Sequence, residues 1–325
     1  MLKLMTWLSG IVDYRTAEEI LERVGQIPAS DSSIRRQAQQ WGTEFQSLAE
    51  EERIRANILP GRWGGPYKAS APKGRMGVAM DGGMIHILGE GWKELKIGCI
   101  FDVEVGPTLD RETGEHIELA HAVRNSYTAH LGGPETFGEM VWAEAARRDW
   151  EGAEETEVIG DGAPWIWNLA ADHFYDSHQV VDWFHATEHL ANASRLLKGE
   201  GTLTATRWFN AQKTVLFGGH ANRVARSLST AAGDSSTEVA EELQKEAGYF
   251  QKNQHRMNYQ EMRENGWAIG SGMVESGAKQ VKARFCGPGM RWSRDGAEKL
   301  IPVRASIMSG RFEELWRAAY NSPLN

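Results

Sequence analysis

The order of hydrophobic runs between residues 77 and 182 most narrows what this chain can fold into. Gly77-Val78-Ala79-Met80, Met84-Ile85-His86-Ile87-Leu88 and residues 95–105 read as three successive strands. A hairpin-like turn is expected at Gly82-Gly83, between the first two. Residues 136–150 change to helical spacing, with Phe137, Met140, Val141, Ala143 and Ala145 among charges. Residues 156–160 form a short strand, Pro164 opens a short helix through Leu169, and residues 178–182 form a fifth strand. An α/β class with a mixed sheet follows from this order.

Helical patterns flank this block. Residues 15–25 read as a short helix closed by Gly25, followed by an Ile27-Pro28 linker. Ser30-Asp31-Ser32-Ser33 caps a second helix from Ile34 to about Trp41, with Arg35 and Arg36 near its start. The pair has a helix-turn-helix-like outline, which suits DNA contact by Arg35 and Arg36. Residues 44–58 continue as helix. The run Pro60-Gly61-Arg62-Trp63-Gly64-Gly65-Pro66 is the clearest domain boundary. From His185 to about Met262 the chain is helical, with a polar break at Gly233-Asp234-Ser235-Ser236. Three parts are expected: a helical segment over 1–60, a core made of 75–190 plus 265–325, and an all-α insertion over 191–264.

Three acidic residues in Gly-flanked contexts fall where this order places strand ends or a helix start: Asp81 in Met80-Asp81-Gly82-Gly83, Asp161 in Gly160-Asp161-Gly162, and Glu275 after Gly270-Ser271-Gly272. In an open α/β sheet, active residues gather at strand ends. Asp81 ends the expected first strand and Asp161 the fourth, so the two carboxylates face each other if those strands are neighbours. Carboxylates converging from distant segments suit two hard divalent cations, Mg²⁺ or Mn²⁺, and so metal-assisted phosphodiester chemistry. Taken singly, each also fits a plain role, as turn residues for Asp81 and Asp161 and as a helix N-terminal charge for Glu275. Lys279 and Lys282 lie on the helix face of Glu275.

Net charge is −8, which disfavours binding of nucleic acid over the whole surface. The charge is uneven. Residues 100–161 carry 15 acidic and 4 basic residues, whereas 276–325 carry 9 basic and 4 acidic. A polyanion would therefore meet the C-terminal part. No apolar run reaches the roughly 20 residues of a membrane helix. Residues 1–8 read as a short amphipathic helix rather than a signal peptide. Cys99 and Cys286 are the only cysteines, so a Cys-based zinc site is excluded and a reducing cytoplasm fits.

Five segments, in order, carry a resemblance: MDGGMIHILGEGWKELKIGCIFDV, VIGDGAPWIWNLA, VVDWFHATEHL, GSGMVESGAKQVKARF and MRWSRDGAEKLIPVRASIMSGR. Over roughly residues 5–320 the chain resembles bacterial insertion-sequence transposases of the ISKra type, in the DDE class with a ribonuclease-H-like fold. The resemblance implies Asp81, Asp161 and Glu275 as catalytic and metal-binding residues, two Mg²⁺ ions, and DNA strand cleavage followed by strand transfer. It implies that Asp182 and His185, in an Asp-x-x-His element, place the DNA, and that a homodimer acts on the element's ends and target DNA. Lys279, Lys282, Arg284 and Arg291 would line the phosphate path, and Trp292 would stack on a base unless its indole is buried. Family members usually have a longer N-terminal region, so a shortened product is expected. A catalytically inactive DNA-binding remnant is the alternative. A third reading comes from His185-Ala186-Thr187-Glu188-His189, which matches the His-x-x-Glu-His zinc pattern of some metallopeptidases.

Overall fold

The structure, a computed structural model, describes residues 1–58, 74–109 and 114–321. The Pro60–Pro66 boundary lies outside the described residues. Three helices come first: α1 (Leu2–Ser9), α2 (Tyr14–Arg23) and α3 (Asp31–Ile58). The middle of the chain holds β1 (Met76–Ile87), β2 (Gly91–Leu109), β3 (His116–His130), α4 (Pro134–Arg147), β4 (Thr156–Gly160), α5 (Pro164–His173) and β5 (His178–Val181). A helical run follows: α6 (Trp183–Lys198), α7 (Leu203–Phe217), α8 (Ala221–Gly233), α9 (Thr237–Asn253) and α10 (Tyr259–Glu264). The chain closes with α11 (Gly272–Phe285), α12 (Arg294–Met308) and α13 (Phe312–Asn321). No helix among the described residues is long and apolar enough to cross a membrane.

The strands form one mixed sheet in the order β3-β2-β1-β4-β5. The expected α/β class with a mixed sheet is therefore present. β1 is antiparallel to β2, and parallel to β4, which is parallel to β5. Val78, Ala79, Val158, Ile159, Val180 and Val181 are fully buried at its centre. Each fully buried Val or Ile contributes roughly 1.5–3 kcal/mol of hydrophobic stabilisation. The short β4 and β5 are buried most fully at their C-terminal halves, Val158-Ile159-Gly160 and Val180-Val181.

Three local expectations are corrected. Gly82-Gly83 is not a turn, because β1 runs through it in unbroken register with Lys96 and Leu95 of β2. The turn comes later, where Glu90 N–H bonds Ile87 O and Gly89 and Gly91 take positive φ of 79° and 74°. The paired glycines lie beneath two flexible side chains instead: a Cβ on Gly82 would lie 2.5 Å from Glu94 Oε1, and one on Gly83 would lie 2.7 Å from Lys282 Cε. Strand β3 was not foreseen, because this edge strand is mostly half-exposed and shows no clean alternation. The two helical pieces before residue 58 are one helix, α3, continuous through Gly42, whose missing side chain admits the Lys299 carbonyl of α12.

α3 does not stand apart from the sheet layer. Its Trp41 and Phe45 enter the main core, 4.3 Å from the Trp316 ring and 5.6 Å from the Phe312 ring. A smaller cluster of Met5, Leu8, Ala17, Leu21 and Ile34 holds α1 and α2 to the start of α3. Arg35 and Arg36 are exposed there.

Helix α11 crosses the sheet over β1, and its closeness rests on Gly277. A Cβ there would run into the Tyr127 ring of β3, with Cδ1 only 2.8 Å away, and Tyr127 Oη donates to Met273 O at 3.2 Å. In an unpacked helix, Gly→Ala stabilises by about 1 kcal/mol. Here overpacking of about 1–3 kcal/mol opposes it. We predict that Gly277→Ala lowers stability in urea denaturation. A more stable variant would show that α11 does not rest on this contact.

Candidate functional site

The site is built at one end of the parallel strands. Ala79 of β1 pairs with Ile159 of β4, and Gly160 of β4 pairs with Val181 of β5. Continuing that register puts Asp81, Asp161 and Asp182 in one row on three adjacent strands. Asp81 lies inside β1 rather than at its end, but it is just past the last β1–β4 pair.

α11 brings Glu275 over this row. A cleft of about 610 Å³ is lined by Asp81, Phe184, His185, Glu188, Glu275, Lys279 and Lys282. Asp161 stands just past the end of the neighbouring strand β4, with Oδ1 accepting from Ala163 N–H at 2.8 Å. Burial pushes the Asp81 carboxyl above its usual range, and the Asp161 carboxylate adds to the rise. The Gly82 N–H, Lys282 and His185 act in the opposite direction. Two carboxylates that repel each other in a half-buried cleft suit a divalent cation, whose charge would relieve both. Among the described residues, however, Asp81, Asp161 and Glu275 do not form a set with ligand atoms within 4.8 Å of one another, as the expected triad would if it were already closed on a metal.

Asp182 is fully buried and caps α6. Its Oδ1 accepts from His185 N–H at 2.7 Å and stands 3.1 Å from His185 Nδ1, and its Oδ2 accepts from Ser271 N–H. Burial alone would raise Asp182, but these bonds together hold it below the usual carboxylate range. The Asp182 hydrogen bond raises His185 to about 9, against the opposing effect of its own burial. His185 is thus a cation at neutral pH, facing the cleft. Asp182, His185 and Glu275 offer ligand atoms within 4.8 Å of one another, a set that sequence reading did not assemble.

The other expected contacts divide. Lys279 and Arg291 are exposed, as is Lys282, and Lys279 Nζ lies 3.8 Å from Glu275. Arg284 is corrected: it is 1% exposed, donates from Nε to Ser9 O at 2.6 Å, and lies between the Tyr14 and Trp292 rings. It packs α11 against the N-terminal helices and is not open to a phosphate. Trp292 is corrected too, since it is buried and its Nε1–H donates to Phe285 O at 2.9 Å. Arg294, its neighbour, is paired with Glu90 through Nε and Nη2. In the His-x-x-Glu-His stretch, His189 turns to α9, where its Nδ1 lies 2.6 Å from Glu246 Oε2, so it is not part of the set around His185.

Sequence reading missed Phe184, an exposed aromatic at the cleft wall, and Tyr249, whose Oη donates to Asp161 O at 3.0 Å. The Phe184 signal was available, since an apolar residue follows a helix cap where the chain faces outward. Tyr249 lies 88 residues from Asp161 and left none.

No protein-family model matches the chain, and comparison with curated proteins gives no match.

Two predictions follow the electrostatics, both for metal-free protein. The folded pKa of His185 is raised, so the stability from its pair with Asp182 is complete below about pH 6.5 and lost as pH rises through about 9. The stability gap between wild type and His185→Gln should close over that window, and the NMR midpoint of His185 should lie near 9. A midpoint near 6.5 would rule the pair out. Asp81 is also raised, so its ionised form costs stability at neutral pH. Asp81→Asn should therefore melt higher than wild type at pH 7, with the advantage shrinking in acid. An unchanged or lower melting temperature contradicts the assigned repulsion.

Proposed function

We propose that this chain is a metal-dependent DNA strand-cleaving and strand-transfer enzyme of the DDE transposase kind, built on a ribonuclease-H-like sheet. The observation that carries the reading is the placement of Asp81 on β1 and Asp161 just past the end of the neighbouring parallel strand β4, with Glu275 of α11 sharing a cleft with Asp81. The five-strand order with an antiparallel β1–β2–β3 meander and parallel β4 and β5 supports the fold assignment. The helical run from α6 to α10 fits an insertion between the second and third carboxylates.

Asp81, Asp161 and Glu275 would hold two Mg²⁺ or Mn²⁺ ions. When bound, these supply charge stabilisation at the scissile phosphate and activation of the attacking hydroxyl. Around them the chain's own groups have separate tasks. The His185 cation, fixed by Asp182, offers a donor to a phosphate oxygen of the strand being cut. Lys279 and Lys282, on the exposed face of α11, offset the charge of the flanking backbone. Phe184 gives the cleft an exposed ring against which a base or sugar can rest. DNA ends of the mobile element and target DNA are the partners in this reading, and a homodimer would bring two ends together.

The test is Mg²⁺-dependent nicking of DNA carrying the element's flanking ends, resolved on a gel. Asp161→Ala should lower the nicking rate by at least about 10³-fold, since a lost metal ligand costs several kcal/mol at about 1.4 kcal/mol per decade. DNA binding measured by mobility shift should persist. Cleavage by Asp161→Ala at the wild-type rate would remove Asp161 from the site. Binding of end DNA with no nicking by the wild-type chain would favour the catalytically inactive remnant.

A further inference from the structure

Asp161 sits where the sheet stops helping it. β4 ends at Gly160, whose carbonyl is taken by Asp182 N–H at 2.8 Å. The next carbonyl, that of Asp161, lies beyond the ladder. A half-buried carbonyl without a partner is destabilising and leaves the residue free to rotate. Its partner comes from the helical insertion. Tyr249 of α9 donates from Oη to Asp161 O at 3.0 Å.

The same ring shapes the turn that follows. Gly162 has φ of 103°, a conformation that disfavours L side chains. A Cβ on it would also lie 2.8 Å from Tyr249 Cε2 and 3.4 Å from Asn253 Nδ2. The tyrosine therefore fills the space that a side chain at 162 would need. It is held on its other side as well. The His189 ring stacks on it at 3.7 Å and 23°, and His189 Nδ1 lies 2.6 Å from Glu246 Oε2, one turn before Tyr249 on α9. Asn253 Nδ2 donates to Tyr249 O at 3.0 Å, behind the ring. α6 thus turns His185 toward the cleft and, one turn later, turns His189 onto Tyr249.

We propose that Tyr249 is a positioning residue for Asp161. Through its hydroxyl and ring it sets the direction of the Asp161 carboxylate, and His189 and Glu246 clamp it in place. The insertion is then part of the metal site and not only a bulky attachment. The reason is geometric: ligand side chains need to be held within about 0.5 Å of productive positions by a supporting layer. With its backbone carbonyl fixed by Tyr249 and Oδ1 bound to Ala163 N–H, Asp161 keeps Oδ2 for a cation. This rests on the metal site of the proposed function, and it assigns a role to residues outside that site.

The test uses Tyr249→Phe, which keeps the ring and removes one oxygen. Mn²⁺ binding to the full chain is measured by calorimetry, well below the melting temperature of both proteins. Loss of an outer-layer partner weakens metal binding by roughly 10–100-fold. We expect about 10-fold weaker Mn²⁺ affinity for Tyr249→Phe. In nicking assays the variant should need more Mn²⁺ for half-maximal rate and recover the wild-type rate at saturation, which a general loss of structure would not do. Glu246→Gln, which weakens the clamp and leaves the hydroxyl, should show the same shift to a smaller degree. If wild type binds Mn²⁺ and Tyr249→Phe binds it equally well, the positioning role is overturned while the metal site stands. If wild type binds no Mn²⁺, both are overturned.

Discussion

The buried carboxylate of Asp182 is the interaction on which the arrangement of the site depends. It stands in the same row as Asp81 and Asp161, yet it is spent on the chain itself. It caps α6 through His185 N–H, and its second oxygen takes Ser271 N–H at the entry to α11. Beside it, Trp183 N–H bonds Ile269 O at 2.9 Å. The helical run between β5 and α11 thus leaves the sheet and returns to it at one stitched point. A long excursion closed this way adds little closure entropy beyond that of a shorter one, because the cost grows only with the logarithm of length. Glu275 stays one turn from the fixed Ser271, however much chain lies between Asp182 and α11.

The second constraint is the depth at which α11 lies. Three glycines are close approaches around it, with different neighbours. Gly277 on the helix clears the Tyr127 ring, Gly83 on β1 clears the flexible end of Lys282, and Gly270, before the helix begins, clears the Phe184 ring of α6 at 3.0 Å. None of these three has a positive φ, so conformational freedom does not explain them. The approach at Gly277 is the one that lets a helix carrying a carboxylate come down onto the sheet. Arg284 lies two turns further along the same buried stripe, where its bond to Ser9 O and its place between two rings tie α11 to the N-terminal helices.

This double use of glycine explains where the sequence could and could not be read. The order of strands and helices from β4 onward follows from apolar runs bounded by Gly and Pro, and the structure has those elements within a few residues. Gly82-Gly83 was expected to turn because that pair has the same letters in a hairpin and in a crowded strand. Only the identity of the neighbour separates them, and Lys282 is about 200 residues away. Edge strand β3 was lost because one-sided, partial burial blurs the two-residue alternation. Arg284 and Arg291 look alike in composition, but helix phase puts the first against Tyr14 while the second stays in solvent. Charge and spacing could gather Asp81, Asp161 and Glu275 as candidates. Tyr249 could not be gathered, since a single hydroxyl meeting a backbone carbonyl leaves no pattern in either segment.

The electrostatic state of the cleft follows from these positions. Asp81 is pushed toward its neutral form by burial and by Asp161, while His185 is pushed toward its charged form by Asp182. The two shifts oppose each other across a short distance. Lys282 lies close as well, since it and His185 both draw the Asp81 carboxyl back down. The cleft therefore sets half-buried carboxylates against cations, with His185, Lys279 and Lys282 in one lining with Asp81 and Glu275. In the proposed function a divalent cation would answer the carboxylates, and a phosphate oxygen would answer the cations. That mixture of charges is the physical ground for the phosphoryl-transfer proposal, because a simple carboxylate or amine ligand would answer only half of it.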